Sequence, residues 1–262
     1  MTNASPAGEQ VLDQANEVLT ATHNLIDKVL RDIKAKTLEG ERVSPAKLDA
    51  HQLICYELSL CWSECTSARF LLDYARRLLT DAPGSADFAI RLAALFCAEA
   101  VTATTGRLRS RPNFGLSESE ISAVSAADGS SAFLAAHLDA ESIAAIGEIV
   151  LDRDGDLGAD LLDDDHSLMR DTYRRIAAEV VAPKAEHIHR EDLDIPDAIL
   201  EPLKEMGLFG LSIPENYGGL QAEGSEDTLG MCVVTEELSR GSLGAAGSLI
   251  TRPEILARAL LK

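Results

Sequence analysis

Leu203-Lys204-Glu205-Met206-Gly207-Leu208-Phe209-Gly210-Leu211-Ser212-Ile213-Pro214-Glu215-Asn216-Tyr217-Gly218-Gly219-Leu220 is the stretch on which the reading of this chain turns. A helix ends at Met206-Gly207, because glycine takes the positive φ that a helix stop needs. Leu208, Phe209, Leu211 and Ile213 then read as a buried extended segment. Pro214 fixes its own φ and blocks helix re-entry, so Pro214 to Gly219 reads as a tight loop.

The flanks extend this pattern. Upstream, Ala185 to Asp194, Ile195-Pro196 and Ile199-Leu200-Glu201-Pro202-Leu203 read as a helix, a crossover and a second helix. Downstream, Thr235-Glu236-Glu237-Leu238-Ser239-Arg240-Gly241 reads as another helix. Taken together, residues 165–262 resemble the N-terminal helical domain of acyl-CoA dehydrogenases, in which a Gly-rich Pro-Glu-x-Tyr-Gly-Gly loop closes the first helices. The fold implied is all-α.

The rest of the chain is also read as helical. Hydrophobic residues make up 46% and aromatics 4%, with Ala and Leu dominant, which favours packed helices over a sheet. Val11, Leu12, Ala15, Val18, Leu19, Thr22, Ile26, Val29 and Ile33 step by three and four along one face of a long helix. Ser44-Pro45 offers an N-cap and first-turn proline for a second helix to Thr80, burying Leu53, Ile54, Leu58, Cys61, Cys65, Ala68, Leu72 and Ala75. A third helix runs from Ala86 to Arg107. Ser117 and Glu120 have capping-box spacing, and shorter helices follow to Val150.

Residues 1–150 therefore read as a helical bundle, with 13 basic and 20 acidic residues. Residues 151–166 carry seven aspartates against one Arg153 and read as an acidic linker, leaving 167–262 as the second domain. Asp152-x-Asp154-x-Asp156 invites a calcium-loop reading. Leu157 stands where the sharp turn needs glycine, however, and Asp163 where a bidentate glutamate is needed. The abrupt stop inside an apolar helix at Leu260-Leu261-Lys262 leads to the expectation of a longer parent protein.

Composition bounds the function. With 24 Lys and Arg against 43 Asp and Glu, the net charge of −19 disfavours nucleic acid as a partner. No run of about 18 apolar residues is read, so no membrane span is expected, and the N-terminus lacks secretory-signal features. Five cysteines without framework spacing fit reduced thiols and a cytoplasmic protein. Glu186-x-x-His189 is half of a di-iron pattern with no second half. His187 and His189 fall on different helix faces. Cys61-x-x-x-Cys65, with Cys97 opposite, lacks the second ligand pair that zinc needs and reads as core. The residues by themselves show no active site; metal ligands: none, catalytic residues: none.

What the resemblance implies goes further. Family members place FAD between a β-barrel domain and a C-terminal bundle, and a glutamate of that bundle removes the α-proton of an acyl-CoA while hydride passes to the flavin. The flavin site and the base are expected outside these residues, so the chain alone is expected to bind no FAD. An electron-transfer flavoprotein as electron acceptor and a homo-oligomer are implied. The helix and loop at Gly244 to Arg252 would contribute to the acyl pocket. Ala245, Ala246 and Gly247 would leave room, and Ser248, Leu249, Thr251 and Arg252 would line it. Arg252, just before a proline-started helix, would suit a carboxylate-bearing acyl-CoA, because guanidinium pairs with carboxylate bidentately and a helix start favours anions. The helices of 1–150 faintly resemble the family's C-terminal bundle. The competing reading is a non-catalytic helical scaffold or adaptor.

Overall fold

The computed structural model describes residues 6–127, 129–153, 158–159, 161–222, 224 and 226–261. It is all-α, with two two-residue strands, and divides into two compact units, residues 1–160 and 161–262. Asp154, Asp156 and Leu157 of the calcium-loop reading lie outside the described residues.

In the first unit three long helices carry the core: α1 (Pro6–Thr37), α3 (Gln52–Asp81) and α4 (Ala86–Ser110). The predicted α1 stripe is inside, with Leu12, Ala15, Leu19 and Ile26 fully buried. They meet Cys61, Cys65, Ala68, Leu72 and Ala75 of α3, and Ala93, Ala94, Cys97, Ala98 and Val101 of α4. Alanine and cysteine keep these faces shallow, which lets the helix axes approach. A hairpin of β1 (Leu38–Glu39) and β2 (Arg42–Val43) turns at Gly40, φ +64°, and leads into the short α2 (Pro45–Asp49). Three shorter helices close the unit: α5 (Glu118–Ala126), α6 (Ser130–His137) and α7 (Ala140–Asp152). The capping box forms, with Ser117 N donating to Glu120 Oε2 at 2.8 Å and Glu120 N to Ser117 Oγ at 3.3 Å.

Three expectations for this unit need correction. The second helix is not continuous from Lys47: it breaks at Ala50-His51, and Ser44 makes no side-chain cap bond although Pro45 does start α2. Leu53, in the first turn after the break, is therefore 55% exposed rather than buried. The segment Pro83–Ser110 is, by length and composition, long and apolar enough to cross a membrane, contrary to the reading above. Its apolar residues, among them Phe88, Ala93, Ala94, Ala98 and Val101, are buried in the bundle core.

Cys61, Cys65 and Cys97 are buried free thiols, whereas Cys55, in the first turn of α3, is only partly buried. Cys65 Sγ lies 3.4 Å from the Thr104 hydroxyl. Burial pushes the Cys61 thiol up, Cys65 to about 11 and Cys97 to about 12. His23 sits edge-on to Trp62, ring centroids 5.7 Å apart, and its Nε2 has no partner among the described residues. Burial, then Arg69, holds its pKa below the ordinary histidine value.

The second unit opens with α8 (Asp164–Ile176), which passes through a π-helical turn, Ala177–Val181, into α9 (Ala182–Arg190). Then come α10 (Asp197–Glu205), α11 (Thr228–Ser242), a second π-helical turn at Leu243–Gly247, and α12 (Ser248–Leu260). α11 is central and packs against α8 and both π turns. Its Val234 and Leu238 join Val181, Ile199, Leu203, Leu208, Ala246 and Ile250 in one core.

The quoted stretch folds as a stop and a loop, but its middle is not extended. Gly207 ends α10 at φ +79°. Residues Leu208–Gly210 then form a 3₁₀ turn closed by Gly210 N donating to Gly207 O at 2.9 Å. Leu208 is buried, while Phe209, Leu211 and Ile213 are only partly so. Glycines at 207 and 210 let the backbone turn where an unbroken apolar run would extend. Beyond it, Leu220 N donates to Gly210 O, Gln221 N to Ile213 O and Glu215 N to Gln221 O, all at 2.9–3.0 Å, so the loop is knotted to its own base.

Gly219 is obligatory in this geometry: a Cβ there would stand 1.9 Å from the Ile213 carbonyl oxygen. Gly219→Ala should destabilise the second unit by about 1–3 kcal/mol, near the upper end because the obstacle is backbone. Gly244→Ala, with nothing within 4 Å, should stay within about 0.5 kcal/mol. Urea unfolding of both variants checks this, and equal losses would remove the steric argument.

Candidate functional site

Among the described residues of the second unit, one carboxylate is buried. Glu237, in the middle of α11, is 2% exposed. It is bound in a fork by Arg174 of α8: Nη2 donates to Oε1 at 2.6 Å and Nε to Oε2 at 2.9 Å. The hydrogen bond to Glu237 raises the Arg174 pKa further above its already high value. Helix α8 is otherwise strongly polar, and this pair works with Tyr173, Met169 and Ile176, which pack into the core it shares with α11. The sequence reading recognised the helix containing Glu237 but not its partner, since 63 residues separate them.

The first turns of the same two helices are joined by a histidine. Asp163 caps α8 and accepts from His166 N at 2.9 Å, while Asp227 caps α11 and accepts from Gly230 N at 2.8 Å. The His166 ring spans them, Nδ1 to Asp163 Oδ1 at 2.7 Å and Nε2 to Asp227 Oδ1 at 3.0 Å. The bond to Asp227, then that to Asp163, raises the His166 pKa. Asp163 is lowered by the His166 backbone amide and ring. At Asp227 burial works upward, but the bonds from His166 and Gly230 outweigh it and leave the pKa low. No sequence pattern announced this bridge. Two aspartates at N-cap positions were its only trace.

Farther along α11 the helices come very close. A Cβ on Gly241 would meet the Ala177 carbonyl oxygen at 2.9 Å, and one on Gly247 would meet Ser239 Oγ at 2.2 Å. Between them Ser242 is extended (φ −170°, ψ 121°), and its hydroxyl accepts from Ala245 N at 3.1 Å. Here the predicted pocket residues separate into two groups. Ala245, Ala246 and Gly247 are buried in the core, so they fill space instead of leaving it. Leu249 packs partly against the same cluster. Ser248 and Thr251 are half-buried and their hydroxyls donate to the Gly244 and Ser248 carbonyls at 2.9 and 3.0 Å.

Arg252 is exposed and has no hydrogen-bond or ion-pair partner among the described residues. It is not at a helix start, however. α12 begins at Ser248, and Pro253 lies inside it, so the dipole argument for an anion at Arg252 fails. The proline was read as a first-turn residue, whereas the preceding Ser248 to Arg252 had already closed a turn. Pro253 has no N–H, so it removes the helical bond to the Leu249 carbonyl.

The other sequence candidates fall elsewhere. Glu186 pairs with Arg190 on the exposed face of α9, Nε to Oε1 at 2.7 Å, and His187 and His189 are exposed on the same helix. No group of three or more potential metal ligands forms among the described residues.

Residues 163–262 match the family described as "Acyl-CoA dehydrogenase, N-terminal domain". The chain is 49% identical over 104 residues to (2S)-methylsuccinyl-CoA dehydrogenase of Cereibacter sphaeroides, covering 40% of this chain and 18% of that one. It is 34% identical over 88 residues to benzylmalonyl-CoA dehydrogenase of Aromatoleum aromaticum, covering 34% and 22%. It is also 35% identical over 89 residues to the probable acyl-CoA dehydrogenase FadE25 of Mycobacterium tuberculosis, covering 34% and 21%. The matched part thus spans about a fifth of these relatives.

Two outcomes test the site's supports. Arg174→Leu strands a buried carboxylate and should cost roughly 2–3 kcal/mol, less than the 3–5 typical of a fully buried pair because Arg174 is half open to solvent. Chemical denaturation measures it, and a loss under about 0.5 kcal/mol would count against the pair. The histidine bridge predicts a pH profile. His166, raised when folded, stabilises fully below about 6.5 and loses its effect as pH climbs through its raised value. Asp163 and Asp227, lowered when folded, stabilise fully above about 4 and lose their effect as pH falls. Thermal stability of the second unit should therefore peak between those limits, and His166→Ala should remove the decline on the alkaline side. An unchanged alkaline decline in the variant would disprove the bridge.

Proposed function

We propose that the acyl-CoA dehydrogenase N-terminal domain carried by residues 163–262 serves, in a longer enzyme, to introduce an α,β double bond into an acyl-CoA. The reading rests on the family match over residues 163–262, which spans the Gly207–Gln221 loop and α11, and on the 49% identity over 104 residues. The substrate we infer is (2S)-methylsuccinyl-CoA, giving mesaconyl-CoA. Two of the relatives named above are dehydrogenases of acyl-CoA substrates that bear a second carboxylate.

FAD enters this reading through family resemblance, with an electron-transfer flavoprotein as acceptor, a homo-oligomeric enzyme and a cytoplasmic setting. The described residues of 161–262 do not themselves fit a flavin. The close-approach glycines of α11 and its π turn, which could cradle a ring or phosphate, are filled by Ala177 and Ser239. No flavin step is therefore derived from these residues. What this chain supplies is scaffold and the distal wall of the acyl site, where Arg252, unpaired and exposed, stands with the Ser248 and Thr251 hydroxyls one turn or less away. Its guanidinium is free to form a fork with the distal carboxylate of a dicarboxylic acyl chain.

Residues 1–150, the acidic linker 151–166 and residues 167–262 are proposed as the functional divisions, the first acting in packing or assembly. A stand-alone scaffold is the competing reading, favoured by a first unit whose described buried residues are apolar side chains, hydroxyls and unionised thiols, with no buried charged group among them. The reading frame beyond Lys262 separates the two, since a flavin-binding continuation belongs only to the enzyme.

In the longer enzyme, Arg252→Ala should lose about 2–5 kcal/mol in kcat/KM for methylsuccinyl-CoA, the scale for removing one partner of a desolvated charge pair. An uncharged acyl-CoA of similar length should be almost unaffected. Equal activity of both forms on methylsuccinyl-CoA would return Arg252 to a surface role.

A further inference from the structure

Beside their buried stripes, α1 and α3 are joined by a row of polar contacts. Arg76 of α3 donates Nη2 to Asp13 Oδ1 of α1 at 2.8 Å. At the next step Arg69 donates Nη1 to Asn16 Oδ1 at 3.3 Å and Nη2 to Thr20 Oγ1 at 3.5 Å. At the third, Trp62 meets His23, the rings near perpendicular with centroids 5.7 Å apart. On α3 the three positions stand seven residues apart, so they return to one side of the helix about every two turns. The α1 numbers rise as the α3 numbers fall, as antiparallel neighbours require.

Charge along this row is unevenly matched. Asp13 pairs with Arg76, while Arg69 is in no ion pair among the described residues and rests on an amide and a hydroxyl. His23 continues the row as a group whose charge depends on pH. Its Nε2 is buried and has no hydrogen-bond partner among the described residues. A neutral imidazole can leave one nitrogen as an unused acceptor. An imidazolium has two N–H donors, and a buried donor without an acceptor loses its hydration with nothing in exchange. Burial and then Arg69 oppose protonation of the ring, and they outweigh the Cys65 backbone and Asp27, one turn along α1, which favour it. No charged group of another element enters among the described residues.

We propose that the His23–Trp62 contact is an acid-sensitive latch between α1 and α3: protonation of His23 adds a third cation to a row with one carboxylate and loosens the first unit while the second holds. The inference does not depend on the acyl-CoA reading. The sign follows from the lowered affinity of the folded ring for a proton. Above about 6.5 the histidine costs the folded unit nothing. As pH falls toward the lowered value the unit weakens, by at most about tenfold in its opening constant per pH unit, and below that value the loss levels off. His166 of the second unit runs the other way, since Asp163 and Asp227 hold its ring as a cation. Mild acid therefore sets the stabilities of the two units apart.

Trp62 is the one tryptophan of the 262-residue chain, so its fluorescence reports this contact directly. A protonated imidazole quenches a neighbouring indole. Titrating the whole chain from about pH 7.5 to about 5, above the ordinary carboxylate range, should lower the emission with a midpoint below about 6.5. His23→Phe, which keeps a ring but cannot titrate, should abolish the change, and His23→Gln should do the same. His137→Gln, at the first unit's other histidine lowered by burial, should leave it in place. Hydrogen exchange over the same range, corrected for its intrinsic pH dependence, should show α1 and α3 losing protection while α8 and α11 keep theirs. In His23→Phe, α1 and α3 should stay protected. Flat emission in the wild type overturns the proposal, as does the same change in His23→Phe. A midpoint at or above about 6.5 overturns it too, because the indole would then be stabilising the cation. So does quenching without loss of protection in α1 and α3, since the ring would then titrate without moving the helices.

Discussion

A carboxylate placed where water cannot reach it constrains everything around it. Glu237 sits in the middle of α11, and a desolvated charge is tolerable only with a partner of fixed geometry. Arg174 meets that condition with two bonds from one planar group, which fixes both the spacing and the rotation of α8 against α11. Once those helices are set, the remaining close contacts follow. Gly241 must lie on Ala177, Gly247 on Ser239, and the Gly207–Gln221 loop must fold back beside Leu208 and Leu220. A hydrophobic pair at the same place would hold the helices together but would leave their register loose.

Much of this was legible beforehand, and for identifiable reasons. Helix faces repeat every three or four residues, so the α1 stripe from Leu12 to Ile33 and the α3 stripe from Leu58 to Ala75 could be placed inside from spacing alone. The capping box at Ser117 and the stop at Gly207 were equally readable, because local hydrogen bonding dictates which residue types can stand there. The 3₁₀ turn at Leu208–Gly210 was misread as extended because apolar content says that a segment is buried, not how its backbone bends. The helix break at Ala50-His51 carries no glycine or proline and so left no signal.

What stayed hidden is what long-range pairing decides. Arg174 with Glu237 and His166 with Asp227 join residues 63 and 61 positions apart, and each looks unremarkable in its own neighbourhood. The stretch from Gly244 to Arg252 shows the same limit from the other side. Small residues read as open space turned out to be where helices touch, with Gly247 occupied by Ser239. Small side chains signal close approach, and only the tertiary structure says whether a ligand or another helix approaches.

The cysteines give the protein a chemical record of its own breathing. Cys65 and Cys97, held near 11 and 12, remain thiols at neutral pH and are shut inside the first unit. Cys232 lies exposed on α11 of the second. A thiol reagent in water therefore meets Cys232 and the partly buried Cys55 first, and Cys61, Cys65 and Cys97 only through excursions that part α3 from α4. Because the reagent needs the thiolate as well as access, the slow phase reports opening and deprotonation together. Alkylation over time would in this way act as a clock for the first unit, running while the second stays folded.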